Sequence, residues 1–418
     1  MDCGLWIADW SLDELPNTLY LIMEIANMKN FRYYMPTKIF FGKHEISKIG
    51  EVAEKFGSNA LVVTDKNIVK LGIADKVIDS LKKANLEFSV FDKVIPNPTS
   101  TLIDEGGEFA RNENCNLIIG VGGGSSLDSA KGIAVSSTHE GSVWNYVAKG
   151  EAEYDKIPTS ATLPIIAIPT TAGTGSEVNC GAVITNPETK EKPVLFGSFV
   201  FPKVAIVDPE LTITMPPKLT ATTGIDVLFH AIEAYTSQLA QPLTDRLCED
   251  AINLVFQNLP KSYDNGKDVV ARTNMAYAST LAGIAVNNAF ITLLHGLEHP
   301  VSGHYNVTHG EGIAAIASEF MEYSYKGNLG KFAKIAELMG ENISGLTMEE
   351  GAAKSVSAVQ KLLKRVDLDI TLSDLGVEED NIETMVKDAQ KYMASFIELA
   401  PVKANTSDLV KLYKDSFT

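Results

Sequence analysis

The histidines of this 418-residue chain are unevenly distributed, since five of the seven lie between positions 230 and 309. Asp226 and His230 are four residues apart, and so are His295 and His299. On a helix this spacing places both side chains of a pair on one face. One carboxylate and two or three imidazoles from facing helices are ligands that hold a divalent metal in a helical domain. We therefore predict a metal site rather than isolated core histidines.

The segment from His295 to His299 also allows a second interpretation. It reads His-Gly-Leu-Glu-His and matches the H-x-x-E-H motif of inverted zinc peptidases. In that motif both histidines bind zinc and the glutamate is the general base. A peptidase would make no use of a glycine-rich turn elsewhere in the chain, or of the pair formed by Asp226 and His230. We therefore favour a metal site of another kind.

A glycine-rich turn occupies residues 120–131, which read Gly-Val-Gly-Gly-Gly-Ser-Ser-Leu-Asp-Ser-Ala-Lys. It is predicted to join a strand to a helix. Gly123 and Gly124 let the backbone approach a phosphate, and the start of the helix from Ser125 to Asp128 would offer its N–H groups to that phosphate. The usual dinucleotide fingerprint has a further glycine and follows the first strand. Because three consecutive glycines exceed the needs of a tight turn, we predict a dinucleotide site.

Two further segments could contact a nucleotide. Thr170, Thr171 and Thr174 follow an apolar run and offer hydroxyl groups, although a plain threonine-rich loop would look the same. Asp65 follows the strand predicted at 59–64. A carboxylate in that place accepts hydrogen bonds from an adenosine ribose and repels a 2′-phosphate. Aspartate is also a preferred helix cap, so the sequence leaves both roles open for Asp65.

The pattern of apolar residues divides the chain into two halves. In the first half the residues 115–121 are apolar on both faces of a strand, which is typical of a parallel sheet covered by helices. Beyond position 208 apolar residues recur at intervals of three and four, as on helices. We predict an α/β domain at 28–208 and an all-helical domain at 209–418. Strands are expected at 59–64, 87–91 and 115–121, and helices at 68–84, 101–113, 220–236, 244–259, 269–288, 313–323, 329–338 and 348–366.

Charge and composition exclude several classes of protein. The chain has 36 Lys and Arg against 53 Asp and Glu, a net charge of −17, so we expect neither nucleic acid nor a membrane surface as a partner. Four widely spaced cysteines without a C-x-x-C pair favour a reducing, cytoplasmic location. Residues 1–27 contain acidic residues but no Lys or Arg, and we expect them to be an extension outside the fold.

Five motifs stand in order along the chain. They are Pro96-Asn97-Pro98, the glycine-rich turn with Asp128 and Lys131, Pro169-Thr170-Thr171-Ala172-Gly173-Thr174, Gly224-x-Asp226-x-x-x-His230-Ala231-x-Glu233, and His295-x-x-x-His299 with His309-Gly310. Together they resemble the iron-containing (group III) alcohol dehydrogenases of the butanol and 1,3-propanediol dehydrogenase type. The resemblance implies a Rossmann-like α/β domain and an all-α C-terminal domain, in a two-domain architecture like that of dehydroquinate synthase.

The same resemblance implies roles for single residues. The metal would be Fe2+ or, since the same ligands suit it, Zn2+, bound by Asp226, His230, His295 and His309. His299 would lie beside the metal and act in catalysis, and Asp65 would favour NAD over NADP. The remaining cofactor contacts would come from Asn97, Gly123, Gly124, Ser125, Asp128, Thr170, Thr171, Thr174 and Lys192.

The activity implied is hydride transfer between NAD and small primary alcohols or diols and their aldehydes, by a homodimer or larger homo-oligomer. Two other functions remain open from the sequence. A lyase of the dehydroquinate synthase type needs several Lys and Arg residues at its site, and few lie near these histidines. A metal or nucleotide sensor without catalysis would be excluded by turnover of NADH.

Overall fold

The computed structural model describes residues 30–148 and 155–418, and all eight strands within them lie before position 208. They are β1 (Lys38–Phe41), β2 (Asn59–Val63), β3 (Glu87–Phe91), β4 (Leu117–Gly122), β5 (Ile165–Pro169), β6 (Gly181–Val183), β7 (Val194–Phe196) and β8 (Val204–Val207). Six form one parallel sheet in the order β3-β2-β4-β5-β8-β1, and β6 pairs with β7 in the antiparallel sense.

The sheet is buried on both faces, as the apolar strand sequences predict. Alternate side chains of β2 show this, because Leu61 and Val63 belong to the core on one face, whereas Ala60 and Val62 belong to the core on the other. Strands β4 and β5 are buried along their whole length. Parallel strands of this kind need helices on both sides. The prediction of an α/β architecture is therefore confirmed.

Five helices accompany the sheet strands. They are α1 (Ile49–Ala53), α2 (Lys66–Lys70), α3 (Ile73–Lys83), α4 (Ser100–Asn112) and α5 (Gly124–Ser136). Helices α1 and α3 cover one face, and α4 and α5 cover the other. The prediction of a single helix at 68–84 was wrong, because Gly72, with a φ of 69°, ends α2 and begins α3 in a left-handed conformation.

The second half of the described chain is helical. Its helices are α6 (Pro217–Thr236), α7 (Pro242–Asp264), α8 (Val269–Ala289), α9 (Leu293–Tyr305), α10 (His309–Ser324), α11 (Leu329–Leu338), α12 (Met348–Arg365), α13 (Ile382–Tyr392), α14 (Ala394–Ile397) and α15 (Thr406–Asp415). They enclose one large apolar core. The predicted fold class, an α/β half followed by a helical half, is confirmed. Helix α10 begins at His309 and not at 313, and the last three helices were not predicted.

The predicted domain boundary remains a prediction, although the last strand ends at Val207 and α6 begins at Pro217. The predicted extension at 1–27 lies outside the described residues. Within residues 30–148 and 155–418, no single helix is long and apolar enough to span a membrane. The consecutive helices α8 and α9 have that length and apolar character only when taken together, and the chain bends by 105° between them.

Candidate metal and dinucleotide site

Three helices bring the predicted metal ligands together. Asp226 and His230 lie on α6, His295 on α9, and His309 is the first residue of α10. The Oδ1 atom of Asp226 is 3.6 Å from Nε2 of His295 and 3.5 Å from Nε2 of His309. Nδ1 of His230 is 3.1 Å from the same oxygen, but it lies 2.9 Å from the backbone carbonyl of Asp226 and bonds there. Oδ1 of Asp226 therefore lies among the imidazoles of His230, His295 and His309.

The donor atoms of this cluster are buried, close together and, within the part of the chain that is described, in part without hydrogen-bond partners, as expected of a cation site. Among the described residues, the buried atoms Asp226 Oδ1 and His295 Nε2 have no hydrogen-bond partner. One ligand atom each from Asp226, His230 and His295 lies within 4.8 Å of the other two. A buried polar atom without a partner costs about 1–3 kcal/mol, and two together at one point need a ligand to offset that cost. Nitrogen and carboxylate donors suit divalent iron and zinc.

The electrostatics of the cluster also favour a cation. Burial raises the pKa of Asp226, but His230 and His309 outweigh it and hold that pKa well below its usual range. Burial lowers the pKa of His295, whereas Glu233 and Asp226 raise it, to about 10. The carboxylates thus stay ionised and attract positive charge, which a divalent metal can supply in place of a proton.

His299 lies beside this cluster with a different environment. Its Nδ1 donates a hydrogen bond to the backbone carbonyl of Lys192 at 3.1 Å, so Nε2 is the ring nitrogen that can accept a proton. Burial and the nearby Lys192 lower its pKa well below the usual value. His299 is therefore a neutral imidazole at physiological pH.

The peptidase interpretation does not suit the position of Glu298. Its two carboxylate oxygens contact Nδ1 of His309 and the hydroxyl of Ser302, and the residue is completely buried. A general base must reach the attacking water at the metal. Glu298 instead faces the outer nitrogen of a predicted metal ligand.

The glycine-rich turn and the threonine-rich loop follow the adjacent strands β4 and β5 and pack against each other. The backbone N–H of Thr170 donates to the carbonyl of Gly122 at 2.9 Å. A Cβ atom at Gly124 would lie only 2.5 Å from Cγ2 of Thr174, so glycine is required there. Helix α5 begins at Gly124, and within the described chain no side chain caps its first turn. Its positive end therefore presents bare N–H groups to an anion.

Asp128 and Lys131 lie on α5 behind this turn. The carboxylate of Asp128 accepts hydrogen bonds from Ser176 Oγ at 2.7 Å and from the backbone N–H of Val183 at 3.0 Å. The ammonium of Lys131 is buried and donates to Ser176 Oγ at 2.8 Å and to the carbonyl of Gly181 at 2.7 Å. Both side chains therefore hold the segment after the threonine-rich loop in place.

Asp65 does cap a helix, since its Oδ1 accepts from the backbone N–H groups of Asn67 at 2.7 Å and Ile68 at 3.2 Å. Its other oxygen faces the glycine-rich turn, 3.7 Å from the position that a Cβ of Gly122 would take. The two roles left open by the sequence are thus compatible, because the helix cap uses only Oδ1.

Asn97 connects the two halves of the molecule. Its Oδ1 accepts from Nζ of Lys192 at 3.0 Å, and its Nδ2 donates to Oδ1 of Asn306 at 2.9 Å. Asn306 lies three residues before His309. Asn97 has a φ of 50°, a conformation that asparagine tolerates better than most residues. The loop that contains Asn97 is therefore hydrogen-bonded to the segment just before α10.

A cleft joins the metal cluster to the glycine-rich turn. The aromatic residues of its lining lie together, because the ring centroids of Phe196 and Phe290 are 5.7 Å apart and those of Phe290 and Phe396 are 5.9 Å apart, and we call this region the apolar end. The predicted site residues that line the cleft are Asn97, Gly124, Ser125, Asp128, Thr174, Lys192, His230, His295, His299 and His309. The predicted residues Asp65, Gly123, Thr170, Thr171 and Asp226 are not among those that line it. The apolar end is formed by Val194, Phe196, Val286, Phe290, Ile291 and Phe396.

The sequence analysis missed two parts of this site. It gave Glu233 no role, although Glu233 is buried and contacts Nδ1 of His295. A signal was present, because Glu233 lies seven residues after Asp226 and so on the same face of α6. The aromatic residues at the apolar end come from β7, the end of α8 and α14, and no spacing in the sequence relates them.

Comparison with known proteins places this geometry in a family. Residues 36–209 match the model of iron-containing alcohol dehydrogenase, and residues 220–417 match that of the Fe-containing alcohol dehydrogenase family, C-terminal. Choline dehydrogenase of Bacillus subtilis is 43% identical over 90% of this chain and 93% of its own length. 1,3-Propanediol dehydrogenase of Klebsiella pneumoniae is 41% identical over 93% of this chain and 99% of its own.

A solved structure shows the same arrangement of the chain. Sulfoacetaldehyde reductase from Bifidobacterium kashiwanohense, crystallised in complex with NAD+, superposes with a TM-score of 0.81 at 32% sequence identity. The match covers 93% of this chain and 98% of that one.

Proposed function

The chain belongs to the family of iron-containing alcohol dehydrogenases, and from this premise we propose which of its residues carry the activity. It is a metal-dependent, NAD(H)-dependent alcohol dehydrogenase. We assign Asp226, His230, His295 and His309 as the ligands of its iron. The observation that supports this assignment is the pair of buried, unpartnered ligand atoms, Asp226 Oδ1 and His295 Nε2, in a cluster beside the cleft.

We propose a separate role in the reaction for each group of residues around the cleft. A divalent metal held by Asp226, His230, His295 and His309 would lower the pKa of an alcohol hydroxyl, and a nicotinamide bound in the cleft would accept the hydride from the alcohol carbon. His299 lines the cleft as a neutral imidazole, and its Nε2 is available to accept the hydroxyl proton. The bare N–H groups at Gly124 and Ser125 bind the pyrophosphate and so fix the distance of the nicotinamide from the metal cluster. Reduction of an aldehyde is the reverse.

We assign the apolar end of the cleft to the carbon chain of the substrate. Burial of one methylene contributes about 0.8 kcal/mol. We therefore expect kcat/KM for straight-chain primary alcohols to rise about fourfold with each added methylene from ethanol towards hexan-1-ol. The measurement is NADH formation with each alcohol, with choline and propane-1,3-diol included because relatives are named for them.

Phe396→Ala is the matched variant for this series. It removes one aromatic wall from α14 without touching the metal ligands, so it should flatten the rise with chain length and leave the rate with ethanol nearly unchanged. A wild-type series that is flat, or a preference for choline or propane-1,3-diol over butan-1-ol, would contradict the assignment of the apolar end.

Asp65 is proposed to exclude NADP. Asp65→Ser should raise kcat/KM with NADP relative to NAD by roughly 10- to 100-fold, because it removes a negative charge opposite the 2′-phosphate. Serine is chosen because its hydroxyl still caps α2, so the helix keeps its start. Steady-state kinetics with both cofactors test this, with Asp75→Ser on α3 as the control. An unchanged ratio in Asp65→Ser would refute the role.

The remaining assignments are also proposals. We infer domains at 28–208 and 209–418, a homodimer or larger assembly, and a cytoplasmic location. Elemental analysis of protein purified without added metal tests the identity of the ion, since zinc suits the same ligands.

A further inference from the structure

Two of the three histidines assigned as ligands rest on a buried carboxylate. Nδ1 of His295 donates to Oε2 of Glu233, and Nδ1 of His309 donates to Oε2 of Glu298. Both glutamates have no exposed surface. In each histidine the bond to the carboxylate uses Nδ1, which leaves Nε2 directed at Asp226.

Glu233 is fixed by several donors at once. Its Oε1 accepts from the backbone N–H of Thr292 at 3.1 Å, from Thr292 Oγ1 at 2.8 Å and from the backbone N–H of Leu294 at 2.8 Å. These donors belong to the start of α9, the helix that carries His295. Glu233 therefore ties α6 to α9 at the point where the two helices contribute ligands.

Glu298 occupies a comparable position between α9 and α10. Its Oε1 accepts from the hydroxyl of Ser302, one turn further along α9. Its Oε2 accepts from Nδ1 of His309, the first residue of α10, so Glu298 ties α9 to α10 at a second assigned ligand.

His230 provides an internal contrast, because its Nδ1 donates to a neutral acceptor, the backbone carbonyl of Asp226, at 2.9 Å. Isolated buried carboxylates are costly, and a bond to an imidazole that itself binds a cation offsets that cost. A carboxylate also makes the imidazole a stronger electron donor than a carbonyl does.

We propose that Glu233 and Glu298 are positioning residues for the metal, which fix the tautomer and orientation of His295 and His309 and strengthen metal binding through their negative charge. The inference rests on the ligand set given under the proposed function. It assigns the pair a role in holding the metal rather than in proton transfer to the substrate.

The test is metal retention by Glu233→Gln and Glu298→Gln. Glutamine keeps the shape of the side chain and an oxygen acceptor, but it removes the charge. After dialysis against a series of chelator concentrations, half of the iron should be lost at a chelator concentration roughly 10- to 100-fold lower than for the wild type. The absorption spectrum of the Co2+-substituted protein should also shift. Glu177→Gln is the matched control, since Glu177 is a buried glutamate bonded to Thr280 at 3.0 Å.

Several outcomes decide between the possibilities. Equal metal retention and an unchanged Co2+ spectrum in both glutamine variants would overturn the inference, and so would an equal loss in Glu177→Gln. If the glutamine variants fail to fold, Ser302→Ala leaves Glu298 in place but removes its hydroxyl partner, and we expect about fivefold weaker retention. Wild-type retention in Ser302→Ala would then overturn the role of Glu298. If the wild type itself binds no metal, or His230→Ala binds it fully, the proposed function fails instead.

Discussion

Replacement of His230 by alanine is expected to empty the metal site and to lower kcat/KM for alcohol oxidation by about 1,000-fold or more. A bound metal supplies several kcal/mol of charge stabilisation, and each 1.36 kcal/mol or so corresponds to a factor of ten in rate. The loss of one imidazole also leaves Asp226 buried with less positive charge around it. Elemental analysis and NADH formation on the purified variant measure both effects.

Wild-type protein treated with a chelator should reach the same low rate as His230→Ala and recover on addition of Fe2+. His44→Ala is the control, because His44 is largely exposed and pairs with Glu210 at 3.1 Å, outside the cleft. If His230→Ala keeps its full metal content and rate, the assigned ligand set is wrong.

A methyl group at Gly124 is expected to weaken NAD binding by roughly 10- to 100-fold. The new Cβ of Gly124→Ala would lie 2.5 Å from Cγ2 and 3.1 Å from Oγ1 of Thr174. The threonine side chain is short and stiff, so the two turns must separate, at the roughly 1–3 kcal/mol typical of overpacking. The KM for NAD and the binding of NADH followed by fluorescence give the size of the effect.

A second substitution separates the two causes of this loss. Thr174→Ser removes the Cγ2 atom, so Gly124→Ala with Thr174→Ser should regain affinity if the displaced turn is responsible. If the double variant does not recover, the methyl group itself blocks the pyrophosphate from the backbone. Gly351→Ala is the control, because a Cβ there would meet its neighbours at 3.5 Å or more. Unchanged NAD binding in Gly124→Ala would show that the cofactor lies elsewhere.

The strands that could be predicted from the sequence are those whose own residues show a local apolar pattern. β4 is apolar on both faces and β3 lies between two helical patterns, so both were predicted. Strands β1 and β8 pair with each other across more than 160 residues, as in the register of Lys38 with Val204. Four-residue strands of this kind depend on a distant partner and have little local signal.

In the site, too, residues related by spacing along one helix could be predicted, whereas contacts between different helices could not. Asp226 and His230, like His295 and His299, could be predicted because a spacing of four fixes one face of a helix. The bond between Glu298 and His309 crosses from α9 to α10, and its geometry depends on how the helices pack. The sequence also could not show that Asp65 caps α2 with one oxygen while the other faces the glycine-rich turn, because that depends on the orientation of the carboxylate.

The elements that carry the assigned metal ligands differ from those that line the apolar end of the cleft. The assigned ligands come from α6, α9 and α10, whereas the three aromatic residues come from β7, the end of α8 and α14. Substitutions in the apolar lining can therefore accumulate without disturbing the reacting atoms. A lineage can exchange one alcohol for another while it inherits the same chemistry, and relatives about 40% identical to this chain do carry the names of different alcohols.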